Sequence, residues 1–232
     1  MRSTLNIVTK VAMNKILILS FCVLQLSTVI KSQEIPASNK LSFEFGLGYN
    51  TLSWKYVSVY ENVENNRNQF SLSPSLKLKY SIPLRKFNNS ASFEITPFAG
   101  YNMFGGKSKT ESNGYKDIIR MQSVEIGFLP SYSLNDKFNF YGGLKGQYIF
   151  SAKNKSYGSI LDPDDSKREW KTSDTGILIK DISFSAGTGF NYGIKRFFFG
   201  IEAWFGITNL SDIEGLRVYE NNYRAIIGYR II

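Results

Sequence analysis

The chain closes on Asn222-Tyr-Arg-Ala-Ile-Ile-Gly-Tyr-Arg-Ile-Ile232, and this stretch decides how the rest is read. In steps of two, Tyr223, Ala225, Ile227, Tyr229 and Ile231 make one apolar face, while Asn222, Arg224, Ile226, Gly228 and Arg230 make a mostly polar one. That alternation is a half-buried strand. A strand at a chain end with an open edge invites pairing with other molecules, so a partner is expected, and pairing with the first strand would close the sheet on itself. Such a cylinder can be built two ways. In water the polar face looks out; in a bilayer, where backbone groups must be satisfied within the sheet, it looks in.

Working outward, the same period recurs. Leu41, Phe43, Phe45, Leu47 and Tyr49 alternate with Ser42, Glu44, Gly46, Gly48 and Asn50, and residues 70–82 set Phe70, Leu72, Leu76, Leu78, Tyr80 and Ile82 against serines, Lys77 and Lys79. Further strands are predicted over 91–102, 124–134, 138–150, 182–192 and 197–207, which with 41–50, 70–82 and 222–232 makes eight. Strands of roughly 9–11 residues suit a tilted bilayer crossing. The connections alternate in length: 51–69, 105–117, 151–179 and 208–221 are long, whereas 83–89, 135–137 and 193–195 are short. In an up-and-down barrel one rim then carries the short turns and the other the long loops, the arrangement of membrane barrels with short periplasmic turns and long external loops.

Aromatic residues of the apolar face sort toward the two strand ends, with Phe43, Tyr80, Phe93, Tyr132, Phe138, Phe140, Phe190, Tyr192, Phe197, Phe199 and Tyr229 near the short turns. Tyr49, Phe70, Tyr101, Tyr148, Phe150, Phe205 and Tyr223 lie near the long loops, with aliphatic residues between. Two girdles around an aliphatic band are expected where rings meet lipid headgroups. The opposite face carries Glu44, Lys77, Lys79, Glu94, Glu125, Lys145, Glu202, Arg224 and Arg230. An eight-stranded barrel has room for side chains only, and an unpaired buried charge costs several kcal/mol. The expectation is a lumen plugged by ion pairs, Glu202 with Arg224 first among them. Pro74, Pro97 and Pro130 fall within strands, where bulges or breaks are expected because proline donates nothing to a ladder.

Composition narrows the chemistry. The 232 residues are 43% hydrophobic, 15% aromatic and 20% charged, consistent with a folded domain. His is absent, which excludes imidazole catalysis and histidine metal ligation. The only cysteine, Cys22, precedes the predicted barrel. Residues 1–32 read as a signal peptide: Lys15 is followed by the 15-residue, largely apolar run Ile16–Ile30, and cleavage is expected near Ser32, with Met1 or Met13 as the start. A lipoprotein signal ending at Cys22 is the less suitable reading, because bulky Phe21 precedes the cysteine and the apolar run continues past it. Residues 33–40 form a short lead and 41–232 the barrel. Of 28 bases four lie in the signal segment, leaving 24 against 19 acids; this scattered excess is not a nucleic-acid footprint. Asp162-Pro-Asp-Asp165 lacks the glycine and distal glutamate of a calcium loop. Gly105-Gly106 and Gly142-Gly143 precede no helix and cradle no phosphate. No catalytic, cofactor-binding or metal-binding residue is assigned, and no cofactor is expected.

With the signal segment, the alternating strands and the closing Ile-Gly-Tyr-Arg-Ile-Ile in hand, residues 40–232 resemble small Gram-negative outer-membrane β-barrel proteins of the OmpA/OmpX-like and opacity types. Phe98-Ala-Gly-Tyr101 and Gly206-Ile-Thr-Asn-Leu210 are similar to phrases common in such barrels. The resemblance implies outer-membrane lipid as surroundings and recognition of the last strand by the barrel-assembly machinery, although this chain ends in Ile232 where the family usually has an aromatic. Enzymes of that family use histidine, so the resemblance implies a non-enzymatic barrel with a structural or surface-interaction role. Candidate loop contacts for a surface ligand are Trp54, Tyr56, Tyr60, Tyr115 and Trp170. Two alternatives stay open from the residues alone: a narrow porin-like channel for small solutes, and a soluble exported lipocalin-like barrel with the Phe/Leu face turned inward around an apolar ligand.

Overall fold

The structure, a computed structural model, describes residues 40–56, 67–88, 91–109, 116–134, 137–157, 170–174 and 178–231. The predicted signal peptide and lead lie outside the described residues, apart from Lys40. The strands are β1 (Lys40–Tyr56), β2 (Arg67–Asn88), β3 (Ala91–Lys109), β4 (Lys116–Leu134), β5 (Phe138–Tyr157), β6 (Trp170–Asp174), β7 (Ile182–Ile194), β8 (Phe197–Gly206) and β9 (Leu216–Arg230). All pairings are antiparallel. Each strand pairs with the next, except that β5 pairs with both β6 and β7, and β9 pairs with β1 to close the ring. Because β7 covers Phe138–Tyr148 of β5 and β6 covers Lys153–Tyr157, those two strands share one side of β5 and count as one stave. The barrel therefore has eight staves.

Orientation follows the membrane solution. Leu78, Ile126 and Ile201 are 50%, 58% and 65% exposed on the outside, while Glu44, Lys77 and Arg224 are 0%, 1% and 3% exposed inside. A lipocalin-like barrel would need the reverse, so that alternative is excluded. Ring pairs across strands form two groups. Phe140–Phe190 (4.9 Å), Phe138–Tyr192 (5.0 Å) and Phe197–Tyr229 (5.1 Å) lie toward the short turns, and Phe205–Tyr223 (5.8 Å) and Tyr101–Phe150 (6.3 Å) toward the long connections.

Strand length departs from the sequence reading. β5 has 20 residues, about 66 Å of extended chain at roughly 3.3 Å per residue, about twice what a tilted bilayer crossing uses. Segments expected as connections are continued ladder: Trp54 and Tyr56 pair with Val218 and Leu216, Lys107 with Ile118, and Trp170 with Tyr157. Beyond the bilayer a strand still satisfies its amides against its neighbour, so composition alone does not end it. Tyr60 and Tyr115 lie outside the described residues.

The three prolines are accommodated on one side only. The β1–β2 register runs unbroken through Pro74, and the β3–β4 register through Pro97 and Pro130. On the other side the pairing steps over each one: β2–β3 jumps from Gln69 to Ser75 and from Lys79–Phe98 to Ile82–Ile95, and β4–β5 from Phe128–Leu144 to Ser131–Tyr141. The missing N–H thus falls where the ladder lapses.

Candidate functional site in the barrel lumen

The inward side chains form layers. In the middle, four basic groups (Lys77, Lys79, Lys145, Arg224) and four carboxylates (Glu44, Glu125, Glu202, Glu220) are all buried, so formal charge balances. Lys77 of β2 reaches across the lumen to Glu202 of β8 at 2.6 Å and lies 3.4 Å from Glu44. Arg224 bonds Glu202 on the adjacent strand at 3.2 Å, and its other nitrogen donates to Asn102 Oδ1 on β3. Lys79 pairs with Glu44, and Lys145 with Glu125 at 3.0 Å and Glu220 at 3.6 Å. Gln147 of β5 donates to Glu220 of β9 at 2.7 Å. The lumen is thereby laced from wall to wall in three directions.

Trp204 fits between two cations, with Lys77 Nζ 5.4 Å and Lys145 Nζ 5.2 Å from its ring, a geometry in which the π face assists the carboxylates. Toward the short turns Phe98, Leu129, Tyr141 and Trp204 pack as a buried cluster. Such wide side chains fit a narrow barrel because facing wall positions are glycine: a Cβ at Gly187 would overlap the Trp204 ring, and one at Gly228 the Phe198 ring. Trp204 Nε1, Arg224 Nε and the Oδ1 atoms of Asn50 and Asn222 have no protein partner. Surroundings this polar suit ordered water rather than an apolar ligand.

Glu94 and Arg230 belong to a different layer. They line a polar cavity of about 50 Å³ at the short-turn mouth with Lys40, Ser131 and Asn139, where Lys40 is 3.4 Å from Glu94. Of the nine charged residues singled out from sequence, seven therefore meet in the central network and two do not. Gln147 shares the inward phase of Lys145 on the predicted strand 138–150, whereas Glu220 was missed. Glu220 sits in the stretch 208–221 read as a connection, yet Leu216, Val218, Glu220 and Asn222 continue the inward period of Arg224 backward, and that phase was the available signal.

Above the charged layer the inside turns apolar. Leu52, Phe104, Ile119, Met121, Ile149, Ala152, Ile179, Leu210, Leu216 and Val218 form one buried cluster. On the outer surface of the same segments stand Arg120, Lys153, Lys155 and Arg217, all exposed. The polarity of the wall has inverted. The β8–β9 connection folds onto this cluster: Lys180 N bonds Leu210 O at 2.8 Å, and Asp212 N bonds Leu178 O at 3.1 Å. Asn209 organises it, accepting from Val218 N (2.7 Å) and Ser211 N (3.1 Å) and donating to Leu216 O (3.1 Å) and Ser211 O (3.2 Å). Gly215, at φ +77°, supplies the left-handed residue of the turn in which Leu216 N bonds Ile213 O.

Comparison with solved structures returns outer-membrane proteins at low identity. The attachment invasion locus protein Ail of Yersinia pestis, solved in complex with the heparin analogue sucrose octasulfate, is 16% identical over 83% of this chain and 99% of its own, with a TM-score of 0.39. The outer membrane enzyme PagL is 10% identical over 82% and 99%, with a TM-score of 0.40. The N-terminal barrel domain of Pseudomonas aeruginosa OprF is 8% identical over 84% and 100%, with a TM-score of 0.31. No curated protein matches the sequence. The family model described as "outer membrane protein beta-barrel domain" matches residues 31–212. With the ring closed, the apolar side chains outside and the charges within, the chain belongs to the outer membrane protein beta-barrel domain family, and its place is the Gram-negative outer membrane.

Proposed function

We propose that the protein is a non-enzymatic barrel with a plugged lumen, serving as a rigid scaffold that presents its extended hairpins for surface interaction. The observation that carries this reading is the wall-to-wall linkage of the lumen by Lys77–Glu202, Arg224–Asn102 and Gln147–Glu220, with the apolar cluster stacked on it. Ion movement would require breaking several buried pairs together, each costly to separate in a low-dielectric interior. The lumen charges are committed to one another, and the chain has no histidine to activate a nucleophile. The short turns face the periplasm and the elongated β1–β5 end faces outward, as in barrels of this kind. Export follows from the signal peptide of residues 1–32, outer-membrane lipid surrounds the exposed aromatic and aliphatic belt, and β9 is the strand offered to the barrel-assembly machinery. Trp54, Tyr56 and Trp170, on the elongated hairpins, remain candidates for ligand contact, together with Tyr60 and Tyr115.

The test is conductance of the purified protein in a planar bilayer. A plugged barrel gives no stable openings, and Lys77→Ala with Glu202→Ala introduces them. Large, stable openings of the unaltered protein would instead establish the narrow-channel alternative.

A further inference from the structure

The short-turn rim carries charge that the lumen does not use. Arg85, Lys86, Lys137, Lys195 and Arg196 are all exposed there, and the sequence of the three short turns holds a single acid, Asp136. The exposed carboxylates among the described residues, Asp174, Asp181, Asp212 and Glu214, belong to the opposite end.

At one point this basic collar forms a site. Lys195 and Arg196 are the two-residue turn between the paired Ile194 and Phe197. Lys195 takes φ +56°, a left-handed conformation that glycine would hold without strain. Arg196 Nη1 donates to Tyr229 Oη at 3.2 Å, which fixes the guanidinium at the edge of the barrel wall. Beneath them is a hollow of about 550 Å³ whose remaining lining is Ile194, Phe197, Phe199 and Tyr229, all apolar or aromatic. Two adjacent cations at the lip of a greasy hollow, at the level of an aromatic girdle, match one kind of molecule.

We infer that this hollow binds a glycerophospholipid with an anionic headgroup, its phosphate between Lys195 and Arg196 and an acyl chain along Phe197 and Phe199. Guanidinium and ammonium groups are the common partners of phosphate oxygens, and basic residues beside a bilayer are drawn to anionic headgroups. A strained turn that keeps lysine where glycine would relax it fits a side chain in use. Free phosphate would leave the apolar hollow without a role. The choice of a phospholipid of the periplasmic leaflet rests on the reading that the short turns face the periplasm, but binding by purified protein is independent of it.

Native mass spectrometry of the full chain in detergent tests this, using equal amounts of phosphatidylglycerol and phosphatidylcholine with identical acyl chains. The expected result is retention of phosphatidylglycerol in about thirtyfold excess, the ratio given by two basic groups near an anionic surface. Lys195→Gln with Arg196→Gln brings the ratio near one. Lys195→Arg with Arg196→Lys keeps the preference, as does Arg120→Gln with Lys153→Gln at the far end. Heat-dependent gel mobility confirms that each variant is folded. Equal retention of the two lipids by the unaltered protein overturns the inference, as does an unchanged ratio in the glutamine variant or an equal fall in the far-end variant. Soluble glycerophosphate at lipid concentration is expected to displace nothing; efficient displacement would mark a simple phosphate site and overturn the lipid assignment.

Discussion

Met121 and Ile126 are both apolar, five residues apart on β4, yet Met121 is fully buried inside the barrel and Ile126 is 58% exposed on its outside. Arg217 and Arg224 on β9 make the complementary pair, the first exposed and the second buried in the lumen. The same sheet is thus an inside-out wall through one part of its length and an ordinary water-facing wall through the rest. The difference teaches where the solvent changes. In hydrocarbon, an apolar outward side chain loses nothing to its surroundings and the interior is free to be polar. In water, burying apolar surface inside regains its usual stabilisation of about 25 cal/mol per Å². The switch runs through Asn50–Leu52 on β1, Asn102–Phe104 on β3, Met121–Ser123 on β4 and Val218–Glu220 on β9, which marks the long-connection edge of the bilayer belt.

Substitutions on either side of that line should behave as if in different proteins. The largest effect is expected at Glu202→Leu, which leaves Lys77 and Arg224 buried without their shared carboxylate. Urea unfolding from lipid vesicles should register a loss of about 3–5 kcal/mol, and replacing Lys77 and Arg224 by leucine as well should return most of it. Next, Phe104→Ala in the apolar layer should cost about 3 kcal/mol by the same measurement, as for a soluble core. A loss below about 1 kcal/mol would mean that this layer is loosely packed.

On the outside and in the β8–β9 connection the effects are smaller and graded. Ile126→Lys within the belt should destabilise by about 2 kcal/mol or more. Asn209→Ala, which removes the organising bonds of the β8–β9 connection, should cost about 1 kcal/mol and speed hydrogen exchange at the Ser211 and Val218 amides while leaving Phe199 protected. Smallest of all, Arg120→Leu on the outer surface beyond the belt should stay within about 0.5 kcal/mol of the unaltered protein.

What could be read in advance follows from the same boundary. Through the belt, period two and polarity coincide, so the strands around Leu76-Lys77-Leu78 or Ile201-Glu202 are legible in the sequence itself, while their facing stayed open between a membrane barrel and a lipocalin-like one. Past the belt the period continues but polarity no longer tracks it. Ile118-Ile119-Arg120-Met121 puts its buried side chains on the phase that carries Ser123 and Glu125 lower down, so a search for outward apolar residues loses the strand there. The irregularity between Gln122 and Ser123 compounds this on the β5 side. β6, at five residues, gives too short an alternation to notice. Individual ion pairs were less legible than the charged face, because which strand faces which across the lumen depends on the stagger of the closed ring; Lys77–Glu202 is a pair of that kind.

A spin-label scan along β4 addresses the inversion most directly. Labels are placed singly at cysteines introduced at residues 118–128 of the vesicle-inserted chain that follows Ser32, which has no cysteine of its own, and relaxation by oxygen and by a water-soluble nickel chelate is recorded. Labels at Val124 and Ile126 should be relaxed by oxygen, the label at Arg120 by nickel, and those at Ile119, Met121 and Glu125 by neither. A label at Arg120 as oxygen-rich as the one at Ile126, or one at Met121 open to nickel, would contradict a wall that changes polarity partway along its length.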